Sequence, residues 1–220
     1  VTSQINRTVD ETDFIAGKVS VNGQFSALIG QDVPGTFSLA DPTTFSAGGS
    51  LLGGALTSGG EAITVTLSGS TYTGTTIRGV DVFTFELTDS RTGDYTFTLC
   101  APLDHADGFD PNDRIELNFD FLVTDFDGDS ATGTVTINVD DDGPSIAPIV
   151  ETVDETDLPS GVVINGAITN GFGHDGMGVV TPIDPSSGGF ALSGSLLNGV
   201  GLTHNNVIVD VTLNPTTGIY

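Results

Sequence analysis

Tryptophan is absent, methionine and cysteine occur once each, and 5 Lys and Arg residues face 29 Asp and Glu residues. Each scarcity removes a class of explanation. With Cys100 as the single cysteine, no intrachain disulfide forms, so packing or bound ions must stabilise the fold. Cys100 ends the alternating run Tyr95-Thr-Phe-Thr-Leu-Cys100, where a buried, inert thiol is expected rather than a nucleophile. The formal charge of −24 repels nucleic acid and anionic lipid and leaves cations as natural partners. No apolar run approaches the roughly 18 residues that a spanning helix requires, so no membrane insertion is expected. The helix formers Lys, Met and Glu are scarce while Gly, Thr, Val and Ile abound, which predicts an all-β chain with many tight turns. The start at Val1 and the end inside an apparent strand at Tyr220 are expected to mark an excerpt from a longer chain.

An internal repeat organises what is present. Thr8-Val-Asp-Glu-Thr-Asp-Phe14 matches Thr152-Val-Asp-Glu-Thr-Asp-Leu158 at an offset of 144 residues. Gly30-Gln-Asp-Val-Pro-Gly35 then answers to Gly173-His-Asp-Gly-Met-Gly178, Asp41-Pro42 to Asp184-Pro185, and Ser50-Leu-Leu52 to Ser195-Leu-Leu197. The expected organisation is the end of a preceding linker over residues 1–8, a complete β-sandwich repeat over 9–144, a linker over 145–152, and the N-terminal part of a second repeat over 153–220.

Period-two alternation marks strands at Lys18–Val21, Thr36–Leu39, Ala62–Leu67, Val80–Thr88, Asp94–Cys100, Arg114–Thr124 and Thr132–Val139. Arg114–Thr124 is expected to bury Ile115, Leu117, Phe119, Phe121 and Val123, and Thr132–Val139 to bury Val135, Ile137 and Val139. In Val80–Thr88 the rows are Val82, Thr84 and Glu86 on one face against Phe83, Phe85 and Leu87 on the other. About seven strands with this spacing predict an immunoglobulin-like β-sandwich.

Carboxylates gather in short segments: Asp10, Glu11 and Asp13; Asp104, Asp107 and Asp110; Asp125, Asp127 and Asp129; Asp140, Asp141 and Asp142; Asp154 and Glu155. A strand of eight or nine residues spans roughly 30 Å, so the acids at the two ends of Thr132–Val139 cannot share an ion. The expectation is that Asp125–Asp129 lies at the entrance end beside Asp10–Asp13. The loop Asp104–Asp113 is expected at the exit end with Asp140–Asp142, next to Asp154 and Glu155. Such oxygen-rich groups suit Ca2+, with Gly128 permitting a tight bend. His105, His174 and His204 stand apart in sequence and lack zinc spacing, which ranks transition metals below calcium. Asp125–Asp129 resembles the start of an EF-hand loop, but no helix is expected to flank it.

Several of these segments together resemble a known family. Val9-Asp-Glu-Thr-Asp13, Thr92-Gly-Asp-Tyr-Thr-Phe97, Pro102-Leu-Asp-His105, Val123-Thr-Asp-Phe-Asp-Gly-Asp129, Thr132-Gly-Thr-Val135 and Val139-Asp-Asp-Asp-Gly-Pro144 resemble the tandem extender repeats of type I-secreted RTX adhesins, which are cadherin-like. The resemblance implies a secreted or bacterial cell-surface array, calcium at the domain junctions, and a role in adhesion and biofilm formation by spacing a ligand-binding domain from the cell. Expected partners are calcium ions, neighbouring repeats of the same chain, and another chain pairing with the incomplete second unit. No enzyme is expected: no Gly-x-Ser-x-Gly elbow occurs, and Asp104 beside His105 has no identifiable nucleophile. The alternative is a carbohydrate- or protein-binding sandwich module of a secreted protein, for which Tyr72 is the best candidate for an exposed aromatic platform.

Overall fold

A computed structural model describes residues 5–27, 33–106, 110, 112–146, 150, 152, 170–171, 173–174, 203–204 and 207–208. The chain forms two compact units, Val1–Pro144 with Phe172–Gly176, and Ser145–Gly171 with Met177–Tyr220. Among its described residues the first holds eleven strands: β1 Ile5–Asp10, β2 Val19–Gln24, β3 Thr36–Leu39, β4 Ser46–Gly49, β5 Thr57–Ser58, β6 Glu61–Ser68, β7 Thr71–Thr76, β8 Asp81–Asp89, β9 Asp94–Leu99, β10 Arg114–Thr124 and β11 Ser130–Asp140. Helical structure among the described residues is limited to 3-10 turns at Glu11–Asp13, Pro42–Thr44 and Leu52–Gly54. In the second unit, β12 Ser145–Ile146 pairs antiparallel with β13 Asn170–Gly171, and β14 Thr203–His204 with β15 Val207–Ile208.

Two sheets build the first unit as a β-sandwich. One runs β1-β11-β10-β3, with β4 also on β10, and the other runs β2-β9-β8-β7-β6-β5. The first strand lies parallel to the last, and β2 pairs with β9, as in an immunoglobulin-like sandwich whose second sheet is widened by β5–β7. β1 begins at Ile5, inside the segment read from sequence as the end of a linker.

The strongly alternating strands meet face to face. Ile115, Leu117, Phe119, Phe121 and Val123 on β10 are buried, as are Val135, Ile137 and Val139 on β11. The register sets Leu117 opposite Ile137 and Phe119 opposite Val135. From the other sheet Phe83, Phe85 and Phe97 close on them. Phe25 stacks on Phe121 at 4.0 Å between centroids, and Phe85 on Phe119 at 4.4 Å. Such pairs add about 0.5–1.5 kcal/mol each beyond area burial.

Two expectations are corrected. Val82 is buried beside Phe83 rather than facing outward with Thr84 and Glu86, because a bulge between Gly74 and Thr75 shifts the β7–β8 register. Tyr72 is 0% exposed, not a surface platform. It lies on β7, where Tyr72, Gly74 and Thr76 point inward, and its hydroxyl donates to the Ala40 carbonyl at 2.6 Å. Burial, with the charges of Asp120 and Asp41, pushes that phenol up to about 12. Cys100 is half-buried, and burial raises its thiol above the ordinary range, with Lys18 opposing and Asp81 assisting.

Gly74 shows how tightly the inner face of its own sheet is filled: a Cβ there would lie 2.4 Å from the ring of Phe83, its cross-strand partner on β8, whereas one at Gly48 would meet nothing within 4 Å. Gly74→Ala is therefore expected to lower the free energy of unfolding by about 1–3 kcal/mol. Gly48→Ala should stay within about 0.5 kcal/mol of the wild type. Urea unfolding of both variants checks the contrast, and equal stabilities would contradict this packing.

Candidate metal centre

Strand direction decides which acids meet. β1 runs parallel to β11 and ends with Asp10 opposite Asp140, while β10 starts at the same level with Arg114 opposite Asp140. The residues that follow β1, follow β11 and precede β10 therefore share the exit end. This corrects the expected grouping of Asp10–Asp13 with Asp125–Asp129. Val9 and Asp10 finish the first strand instead of opening the unit, and the ten steps from Ser130 to Asp140 separate the two groups by roughly 33 Å. The expected neighbourhood of the Asp104–Asp113 loop and Asp140–Asp142 is observed in part: Asp113 lies beside Asp141, whose N–H donates to the Asp113 carbonyl at 3.1 Å.

At this end the first turn after β1 carries a fully buried carboxylate. Asp10 caps the turn by accepting from the Thr12 N–H at 2.9 Å, which aims Glu11 inward to 0% exposure. Glu11 Oε1 accepts from the Leu103 N–H at 2.9 Å and lies 3.7 Å from His105 Nε2. On the other side of the imidazole, His105 Nδ1 is 2.9 Å from Asp113 Oδ1, and Asp113 Oδ2 accepts from the Ser50 hydroxyl. Asp141 accepts from the Asp142 N–H at 2.8 Å, and Asp142 Oδ2 accepts from the backbone N–H and Nδ1 of His174, both at 2.7 Å. Glu11, His105 and Asp141 each bring one ligand atom to within 4.8 Å of the others. The sequence places the Asp104–Asp113 loop at this end, but His105, Asp113 and His174 are not among the expected site residues, because no local spacing ties them to Glu11 or to Asp141 and Asp142.

Four buried carboxylates, Glu11, Asp113, Asp141 and Asp142, thus face two imidazoles. Arg114 does not relieve them, because its guanidinium is engaged with Asp140 at 2.6 and 2.9 Å. Burial penalises the His105 cation, yet the neighbouring carboxylates of Glu11, Asp141 and Asp113 outweigh it and hold the imidazole above its ordinary range. Burial raises Asp141; His105 and the Asp142 N–H oppose that shift, and Asp113 and Asp142 add to it. Asp142 Oδ1 is buried and receives no hydrogen bond. A hard cation fits this oxygen-rich, negative and dry donor set.

The opposite end holds a second, simpler cluster. Asp125, Asp127 and Asp129 place carboxylate oxygens within 4.8 Å of one another in the turn that joins β10 directly to β11. Asp125 Oδ1 accepts from the N–H groups of Gly128 and Asp129, and Gly128 takes φ +100, a conformation that a side chain would strain. Strands rather than helices flank this turn.

Other candidates have separate duties. Asp104 is engaged elsewhere: its two oxygens accept from the N–H groups of Gly59 and Gly60, both at 2.8 Å, fixing the β5–β6 turn. Asp110 is exposed and accepts from the Asn112 N–H, Asp13 is exposed, and Asp140 pairs with Arg114. Asp107, Asp154 and Glu155 lie outside the described residues.

The cluster gives stability a signed pH dependence in metal-free buffer. His105 is raised above its ordinary value of 6.5, so its stabilisation is complete below 6.5 and is lost as pH rises through the folded value. Asp141, raised above 3.8, acts in the same direction at the acid side, where protonation favours the folded state. Unfolding free energy is expected to fall as pH rises from 6.5 through the folded value, and His105→Gln to flatten that fall. Urea titrations across the window check this, and a wild-type stability that climbs there would contradict it.

No curated protein and no solved structure matches the chain. A family profile matches residues 6–138, a span that runs from β1 nearly to the end of β11 and includes Glu11, His105, Asp113 and the Asp125–Asp129 turn. With more than half of its length matched, the chain belongs to the family described as Domain of unknown function (DUF5801).

Proposed function

We propose that the chain is a calcium-stabilised extender repeat of a large secreted or surface-attached bacterial adhesin, spacing a ligand-binding domain from the cell. The observation that carries this reading is the excess of buried carboxylate where the chain leaves the first unit, drawn from Glu11, Asp113, Asp141 and Asp142. Such an excess is costly unless a cation offsets it. Glu11 and Asp141, beside His105, would hold the ion at the exit end, and Asp125, Asp127 and Asp129 would hold one at the entrance end. Calcium, when bound, supplies positive charge and six to eight oxygen contacts that draw acidic segments together. The internal copy at an offset of 144 residues and the resemblance to adhesin extender repeats supply the tandem context. The inward position of Tyr72 removes the aromatic platform that favoured a sugar-binding module.

Extracellular calcium modules have dissociation constants of roughly 10⁻⁴ to 10⁻³ M. At 10 mM calcium, each site should then add about 1.4–2.7 kcal/mol of stability by mass action. Differential scanning calorimetry is expected to show a higher Tm in calcium than in chelator, with Glu11→Gln reducing the difference; identical melting in both buffers would end the calcium reading. In calorimetric titration Asp127→Ala should weaken binding more than Asp94→Ala, whose carboxylate instead accepts from Gln24 at 2.9 Å. A glycan array probed with the chain in calcium should stay blank, and a reproducible sugar ligand would replace the spacer by a binding module.

A further inference from the structure

Asp142 follows β11 almost directly and is 5% exposed. Both donors on its Oδ2 come from one residue of the second repeat, the backbone N–H and ring Nδ1 of His174. A carboxylate oxygen at this short distance accepts, so Nδ1 carries the hydrogen. The His174 ring rests on Phe14, with centroids 5.0 Å apart and planes 38° from parallel. Gly173 takes φ +74, and a Cβ there would lie 2.6 Å from Asp142 Oδ1. Only glycine lets the chain come this close in this conformation. A left-handed glycine, two N–H groups on one oxygen and an aromatic shelf together make a receptor shaped for a single carboxylate.

We propose that Gly173–His174 is a clasp by which the second repeat grips the exit carboxylate of the first. This rests on the reading of the chain as a tandem array but not on calcium. The clasp takes Oδ2 of Asp142, while Oδ1 lies against Gly173 and receives no hydrogen bond. The segment that matches it in the first repeat is Gly30-Gln31, which keeps the glycine and replaces imidazole by an amide, another N–H donor.

Amide hydrogen exchange of the full chain, followed by NMR in calcium and again in chelator, tests the clasp. The His174 amide is expected to exchange at least tenfold more slowly than an unstructured amide. Gly173→Ala and Asp142→Ala should each remove that protection while leaving the amides of Phe119 and Ile137 protected, which shows that the sandwich is folded. A His174 amide unprotected in the wild type, or equally protected in a folded Gly173→Ala variant, overturns the clasp. Protection in chelator with no calcium effect on melting would keep the clasp and discard calcium, whereas a calcium effect with an unprotected His174 would do the reverse.

Discussion

The antiparallel ladder between β10 and β11, from Arg114 opposite Asp140 to Thr124 opposite Ser130, sets most of the molecule's layout. Along its length the period of two puts every second side chain into the sandwich, so the same register that stacks Phe119 on the opposite sheet also aligns Ile115 with Val139. At its closed end the ladder needs a tight turn, which Asp125, Gly128 and Asp129 supply. At its open end the two strands part, and the acids beyond them, Asp113 and Asp141, are left side by side. Position of charge thus follows from pairing of backbone.

The two ends differ in how they carry that charge. The Asp125–Asp129 turn is largely solvated, and its carboxylates repel one another through water at small cost. The exit end is enclosed, with Glu11 fully buried and Asp141 and Asp142 nearly so. There, every uncompensated charge is weighed against desolvation, and His105 already answers part of it from between Glu11 and Asp113. The surface pair of Arg114 with Asp140 contributes little by comparison, although its forked geometry fixes the mouth of the ladder.

Legibility in the sequence followed the range of the interaction. The rows of β10 and β11 were readable because alternation is local, and the Asp125–Asp129 turn because its polar groups lie within five residues. β7 was not, since Thr71-Tyr-Thr-Gly-Thr-Thr76 offers one large side chain and no apolar alternation, and the placement of Tyr72 failed with it. Asp104 and Asp113 have equal standing as sequence; only the fold shows that the amides of Gly59 and Gly60 claim the first. Glu11 and His105 meet through the parallel pairing of β1 with β11, a choice of direction that no short motif records. That one choice moved Asp10–Asp13 from one end of the domain to the other.

The same parallel pairing governs how the domain answers tension. Force applied between the start of β1 and the end of β11 would pull two neighbouring strands in opposite directions along their length. The bonds that join Ile5–Asp10 to Val135–Asp140 are then loaded in shear and must yield together, whereas strands peeled from one end would lose them singly. Six residue pairs would therefore resist such a pull as one mechanical unit.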